Sequence, residues 1–380
     1  LPRRERGLEQ QRFCGVFRFH RAAESEKCAH GAPIAAGIAQ WRPMSPLQPS
    51  PWLAMAAAAA LSALALALLQ HVRAHLPLDQ PIDRSLHRQP VLRAGGVAIW
   101  VGFVPVAFVL RAQFESAALW LAAFGAVVAV SIADDWRGVR PGVRLVVHAL
   151  AALAISVSVF HRDASDGLSA SDGIIIGLAA FAIVWSANLF NFMDGSDGLA
   201  AFMATCGFGA YGATALHAGE PADIYLALAA ATLPFLVMNL PPARVFMGDG
   251  GSVPLGFLAA AFGLVGIRAQ TWPGWFPLLV FLPFIADTLV TIIRRVAARE
   301  NLFRAHKTHY YQRLHRMGAG HAGTLLVYGA LVAGTSASAY LALAMNPAAG
   351  WQVLGAWTVA IGGFFAGIDY HWRRCSPGQR

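Results

Sequence analysis

Apolar residues in this chain come in long, nearly uninterrupted blocks, and that clustering restricts the fold more than any other feature. Eleven blocks can be delimited, at 51–70, 94–110, 116–133, 143–160, 173–190, 199–216, 223–239, 253–267, 274–293, 323–345 and 350–369. A helix needs about 17–25 apolar residues to cross a hydrocarbon core of about 30 Å. Backbone polar groups in lipid must pair within their own segment, so each block is read as a helix, and the alternating pattern of a membrane barrel is absent. Composition agrees, since 13% of the 380 residues are charged and 57% hydrophobic, against about 25% charged in soluble domains. The chain is expected to be an all-α polytopic integral membrane protein with eleven transmembrane helices.

Charge sets the orientation. Past residue 50, the loops at 71–93, 134–144, 191–198, 239–251, 294–322 and 370–380 carry eighteen Lys and Arg, whereas the alternate loops carry three. Basic loops stay cytoplasmic, which puts the N-terminus outside and the C-terminus in the cytoplasm. The formal charge of +9 is then topological, with some attraction to anionic lipid, and implies no nucleic-acid partner. Cys14, Cys28, Cys206 and Cys375 form no CxxC pair, so neither a disulfide framework nor a zinc site is indicated. Residues 1–43 carry eight Lys and Arg, which conflicts with an external N-terminus. They are expected to be a disordered or artefactual extension, and 44–380 a single transmembrane domain.

Polar chemistry collects in the loops assigned to the inner face. In "ADDWRGVRPGVR" (133–144), Asp134 and Asp135 are followed by Arg137, Arg140 and Arg144. Adjacent carboxylates repel unless a cation or proton relieves them, although a charge cluster that merely anchors a helix end reads the same way. In "NLFNFMDGSDGLA" (188–200), Asn188, Asn191, Asp194 and Asp197 recur every three residues. Residues i and i+3 share a helix face, so these groups could converge on a polar ligand or a cation; the bland reading is an Asn/Asp/Gly turn. "VFMGDGGSVPLG" (245–256) puts Asp249 among glycines, with Arg244 and Phe246 before it. Ser252 is a candidate N-cap there and Pro254 suits a first helical turn, where phosphate is readily bound. "RAHKTHYYQRLHRMG" (304–318) combines His306 and His309 with Lys307, Arg313 and Arg316, a charge run that could hold a diphosphate or serve only as an inside anchor. Asp287 lies within the ninth block, two turns before Arg294; ionisable groups so placed are usually functional or paired, so an ion-pair or ligand-orienting role is expected.

Together the four loops resemble the polyprenyl-phosphate N-acetylhexosamine-1-phosphate transferase family, which includes enzymes that start O-antigen or enterobacterial common antigen synthesis and the phospho-MurNAc-pentapeptide translocase. The likeness runs from "RSLHRQPVLRAGG" (84–96) to "HYYQRL" (309–314). The resemblance implies transfer of a sugar 1-phosphate from a UDP-N-acetylhexosamine to undecaprenyl phosphate, with release of UMP. It implies Mg²⁺, with Mn²⁺ as the alternative ion, a bacterial inner membrane with the site on its cytoplasmic face, and a homodimer in some members. By the same resemblance Asp249 looks like the metal ligand, with Asp194 as a second candidate, and Phe246 like the ring that stacks on uracil. Asn188, Asn191, Asp194 and Asp197 look like nucleotide-site residues, Lys307 and Arg313 like substrate-binding cations. Asp134, with Asp135 beside it, looks like the acid that prepares or acts as nucleophile, and His306 and His309 like members of the histidine motif near the diphosphate.

The sequence departs from the peptidoglycan branch in carrying HxxHxYQ rather than three consecutive histidines, and Arg137 where that branch has a lysine. These departures are closer to the branch that begins O-antigen or capsular polymers than to phospho-MurNAc-pentapeptide transfer. A CDP-alcohol phosphotransferase is disfavoured because "DGSDGLAAFM" lacks the Arg and later acids of that pattern. A transporter places its ionisable residues near the midplane, whereas here only Asp287 lies deep.

Overall fold

The structure, a computed structural model, describes residues 50–73, 78–79, 91–113, 116–161, 169–301 and 307–375. The extension at 1–43 lies outside the described residues. Residues 47–380 group as one compact unit.

The elements run α1 (Pro51–His71), β1 (Leu78–Asp79), β2 (Val91–Arg93), α2 (Gly95–Val109), α3 (Ala117–Arg137), α4 (Pro141–Phe160), α5 (Ala170–Met193), α6 (Leu199–His217) and α7 (Asp223–Asn239). They continue through β3 (Val245–Phe246), α8 (Asp249–Arg268), α9 (Trp275–Val280), α10 (Leu282–Ala297), α11 (Tyr310–Leu314), α12 (Gly320–Met345) and α13 (Gly350–Cys375). Among the described residues eight helices are long and apolar enough to cross a membrane, and α2 and α7 are shorter apolar helices. Local signals explain several starts: Ser50 accepts from the Leu53 N–H ahead of Pro51, and Ser169 forms a capping box with Asp172, each satisfying N–H groups that a first turn leaves open.

Three details differ from expectation. The ninth block is two helices, because Pro283 near the start of α10 has no N–H with which to continue the ladder from α9. The chain is not purely helical: β1 and β2 pair antiparallel, and β2 pairs in parallel with β3, with Arg93 beside Phe246. Finally, α8 begins at Asp249 after Gly248, so Ser252 is not its N-cap. Ser252 is buried inside the helix, its hydroxyl donating to the Gly248 carbonyl at 3.0 Å.

α8 is the axis of the fold. About four-fifths of its apolar stretch is buried, whereas α1 and α13 expose most of theirs, and it packs on α2, α3, α4, α5 and α6. Without a hydrophobic drive between helices in lipid, close packing of small residues has to supply the contact. Gly256 illustrates this, because a Cβ there would lie 2.3 Å from the Ser186 carbonyl oxygen and 2.8 Å from Ala187 Cα on α5. Far from the N-terminus of α8, Tyr211, Tyr225, Phe262, Trp272 and Phe276 form an aromatic cluster, with Tyr211 stacked on Trp272 at 4.8 Å between ring centroids.

Candidate active site

The first turn of α8 is held by an acid from another helix. The Asp249 and Gly250 N–H groups donate to the two Asp135 carboxylate oxygens at 2.9 and 2.7 Å. A carboxylate at a helix N-terminus satisfies open donors and meets the positive end of the helix dipole. Trp100 on α2 donates its indole N–H to the Gly250 carbonyl at 2.5 Å, and the Gly96 N–H donates to the Met247 carbonyl at 3.0 Å. The start of α2, the end of α3 and the start of α8 are thereby locked together.

On this platform the Asp249 carboxylate accepts from Arg93 at 3.1 Å and Asn191 at 2.9 Å through Oδ1, and from Arg144 at 2.9 Å through Oδ2. Arg93 also reaches Asp135 at 3.0 Å. Arg144 also contacts Asp134, whose other oxygen accepts the Val139 N–H at 2.7 Å. Asn191 extends a second contact to Ser252 Oγ at 3.2 Å. Asp194 ends α5; burial, and then the charge on Asp249, push its carboxyl well above the ordinary carboxylate range.

Asp134, Asp135, Asn191, Asp194 and Asp249 thus come from three separate chain segments into one electrostatic cluster. Asn188 turns its amide N–H to the Val184 carbonyl one turn back, at 2.8 Å. The Asp197 carboxylate accepts the Ala243 N–H at 3.0 Å and lies 3.3 Å from His321 Nδ1, which ties the segment before β3 to the turn after α5. Phe246 is half-buried on β3, directly beside Arg93 in the sheet.

The histidine loop closes over the end of α5. The His309 ring lies 6.1 Å from that of Phe192, and the Tyr311 hydroxyl donates to the Phe192 carbonyl at 3.1 Å. Tyr311 leaves no room for a side chain at position 195, where a Cβ would meet its hydroxyl at 2.1 Å. Arg313 pairs with Asp369 on α13 at 2.7 Å and donates to the Thr308 carbonyl at 3.0 Å. Lys307 is half-buried, and His306 lies outside the described residues. Asp287 is fully buried and does not pair with Arg294; it receives His309 Nδ1 at 3.1 Å, while Arg294 contacts Asp369 and the Tyr310 hydroxyl.

Sequence reasoning named Arg144 beside the Asp134–Asp135 pair without linking it to Asp249, and counted Arg93 only among the basic loop residues; both neutralise the acids directly. The available signal was their place on the same inner loops as the rare carboxylates.

Among the described residues no three His, Cys, Asp or Glu side chains group to cage a metal by themselves. Asp249 and Asp194, which interact electrostatically, nonetheless offer hard oxygen donors. Such a donor set fits Mg²⁺, which is commonly bound through one or two carboxylates and completed by substrate phosphates.

Residues 117–267, which contain Asp134, Asn191, Asp194 and Asp249, match the glycosyl transferase family 4 profile. The chain is 29% identical over 261 residues to the "Probable undecaprenyl-phosphate N-acetylglucosaminyl 1-phosphate transferase" of Bacillus subtilis, covering 66% of this chain and 73% of that protein. It is 26% identical over 261 residues to the undecaprenyl-phosphate alpha-N-acetylglucosaminyl 1-phosphate transferase of Escherichia coli, covering 63% and 70%. A phospho-N-acetylmuramoyl-pentapeptide-transferase of Thermotoga neapolitana is 33% identical over 138 residues, covering 35% and 44%. The chain is a multi-pass membrane protein, and over residues 117–267 it is similar to glycosyl transferase family 4.

Proposed function

We propose that the protein transfers an N-acetylhexosamine 1-phosphate from a UDP-sugar to undecaprenyl phosphate, releasing UMP, and so begins a lipid-linked cell-surface glycan of the O-antigen or capsule type. The observation that carries the reading is the convergence of Asp134, Asn191 and Asp249 around Arg93 and Arg144, at helix ends that charge assigns to one membrane face. In the reaction an oxygen of the lipid phosphate bonds to the phosphorus bearing the sugar, and the bond from that phosphorus to the UMP oxygen breaks. The acceptor's tail requires a site among transmembrane helices, and its water-soluble donor requires that site to face the cytoplasm of a bacterial inner membrane.

Asp249 and Asp194 would hold Mg²⁺, or Mn²⁺ in its place, which neutralises charge on the donor diphosphate when bound. Asp134, oriented by Arg144 and the Val139 N–H, would take any proton left on the acceptor phosphate or act as nucleophile. Asp135 keeps the first turn of α8 in position. Phe246 would supply the face on which uracil stacks, with Asn188, Asn191 and Asp197 as the candidate residues of the nucleotide end. Lys307 and Arg313, with His306 and His309, serve the diphosphate end, and fixed positive groups there favour the charge that develops during transfer.

The test is a membrane assay with Mg²⁺, undecaprenyl phosphate and a panel of radiolabelled UDP-N-acetylhexosamines. Butanol-extractable label and UMP are expected, and EDTA abolishes both. Uptake of a substrate without UMP formation would favour a transporter instead. UDP-MurNAc-pentapeptide is the second donor to include, because of the 33% identity with the T. neapolitana protein.

A further inference from the structure

Asp287 is buried to 0% exposure within α10, where an unsatisfied carboxylate would be strongly unfavourable. Two of its polar contacts are with backbone N–H groups, which can only donate. Oδ1 receives His309 Nδ1 at 3.1 Å and the Tyr310 N–H at 2.9 Å. Oδ2 receives the Tyr311 N–H at 3.0 Å and the Tyr328 hydroxyl at 2.5 Å. The Thr291 hydroxyl adds a longer contact at 3.3 Å. An ionised carboxylate only accepts, so this ring of donors suits the charged form and obliges His309 to carry its proton on Nδ1.

The consequence falls on His309. Its ring neighbours those of Phe192 and Tyr311, with centroids 6.1 and 5.9 Å away, beside the end of α5 that carries Asn191. These two rings limit its tilt, and Asp287 fixes which edge points into the protein. A neutral imidazole with its proton on Nδ1 has Nε2 as its accepting nitrogen, because the hydrogen bond made by one ring nitrogen sets the role of the other.

We propose that Asp287 is a positioning residue that locks the His309 imidazole in the Nδ1–H tautomer and in register with the end of α5. It acts through His309 and touches no substrate. The kinetic part of the proposal rests on the transferase reading; the tautomer part does not.

The test uses the full chain in lipid nanodiscs with ¹⁵N-histidine labelling. In alkaline buffer, where imidazoles are neutral, one resonance should report an Nδ1–H tautomer and vanish in His309→Gln. That tautomer should be lost in Asp287→Ala and weakened in Asp287→Asn, since an amide turns an NH₂ toward one of the two donor pairs. Partners that orient a functional histidine are typically worth about 10–100-fold. Asp287→Ala is therefore expected to lower kcat for UMP release by about 100-fold and Asp287→Asn by about 10-fold, with KM for the nucleotide sugar little changed. In a His309→Gln background, Asp287→Asn should cost nothing further. An unchanged tautomer in either variant, or a full additional loss in the double variant, would overturn the proposal. Should Asp287→Ala fail to insert, Asp287→Asn carries both readouts. If the wild-type chain transfers no sugar phosphate, the transferase reading fails and the resonance alone decides the role of Asp287.

Discussion

Gly96→Ala should disable the protein without touching a single charged group. Gly96 opens α2 against the first turn of α8, where a Cβ would lie 2.4 Å from Gly251 N, 2.5 Å from Gly251 Cα and 2.8 Å from Gly250 C. All three are backbone atoms, so no side chain can swing aside. Restoring ordinary contact, which begins at 3.4 Å, requires α2 and α8 to part by about 1 Å, and a misplacement of that size can cost about 10²-fold in rate. Arg93 precedes α2 and Asp249 begins α8, so their 3.1 Å ion pair lies across the widened gap. Overpacking of this kind destabilises by about 1–3 kcal/mol, which leaves a folded protein to assay. Purified Gly96→Ala is expected to release UMP about 100-fold more slowly than wild type and to melt at a lower temperature. Gly125→Ala on α3, with nothing within 4 Å of the added methyl, should match wild type in both. A Gly96→Ala protein with wild-type kcat would refute the reasoning, because the turn would then tolerate displacement without consequence for the site.

Asp249→Asn should insert normally and lose sugar-phosphate transfer; full activity would remove Asp249 from the metal role. Because Asp194 is pushed toward its neutral form, Mg²⁺ binding should release a proton and tighten as pH rises, readable by calorimetry in buffers of different ionisation enthalpy; pH-independent binding would contradict it. Arg144→Met strips a cation from both Asp134 and Asp249 and should cost about 1–3 kcal/mol of stability in EDTA, with Mg²⁺ stabilising this variant more than wild type; equal stabilisation of the two would count against the charge argument. Tyr328→Phe removes the 2.5 Å donor to Asp287 and should lower the melting temperature while leaving KM for the nucleotide sugar unchanged, so a changed KM would place Tyr328 at the substrate.

The helices were legible because apolar blocks in lipid leave the backbone little choice. The block at 223–239 became Asp223–Asn239 with no tertiary information required. What escaped the sequence was decided at long range. The strands holding Arg93 beside Phe246 are two or three residues long and carry no period to detect. Ser252 looked like a cap because the residue that does the capping, Asp135, lies 114 positions away. Asp287 looked like a partner for Arg294 two turns on, yet Arg294 pairs with Asp369, 75 positions away. The acids stood out because charge is rare in this chain, whereas Arg93 and Arg144 resembled the topological arginines around them.

The charge within the cluster connects these observations. Among the described residues, Asp134, Asp135, Asp194 and Asp249 face two guanidinium groups, those of Arg93 and Arg144. Fully ionised, the group would carry two uncompensated negative charges in a site partly shielded from water, where repulsion is much stronger than at an open surface. Burial first, and then the charge on Asp249, hold the Asp194 proton more tightly. A purely structural ion-pair network would gain nothing from such a deficit, and two further arginines would remove it. A site that receives a divalent cation together with an anionic diphosphate needs the deficit for the cation and the arginines for the phosphates. The arrangement of opposite charges within a few ångströms, rather than the number of acids, therefore carries the transferase reading.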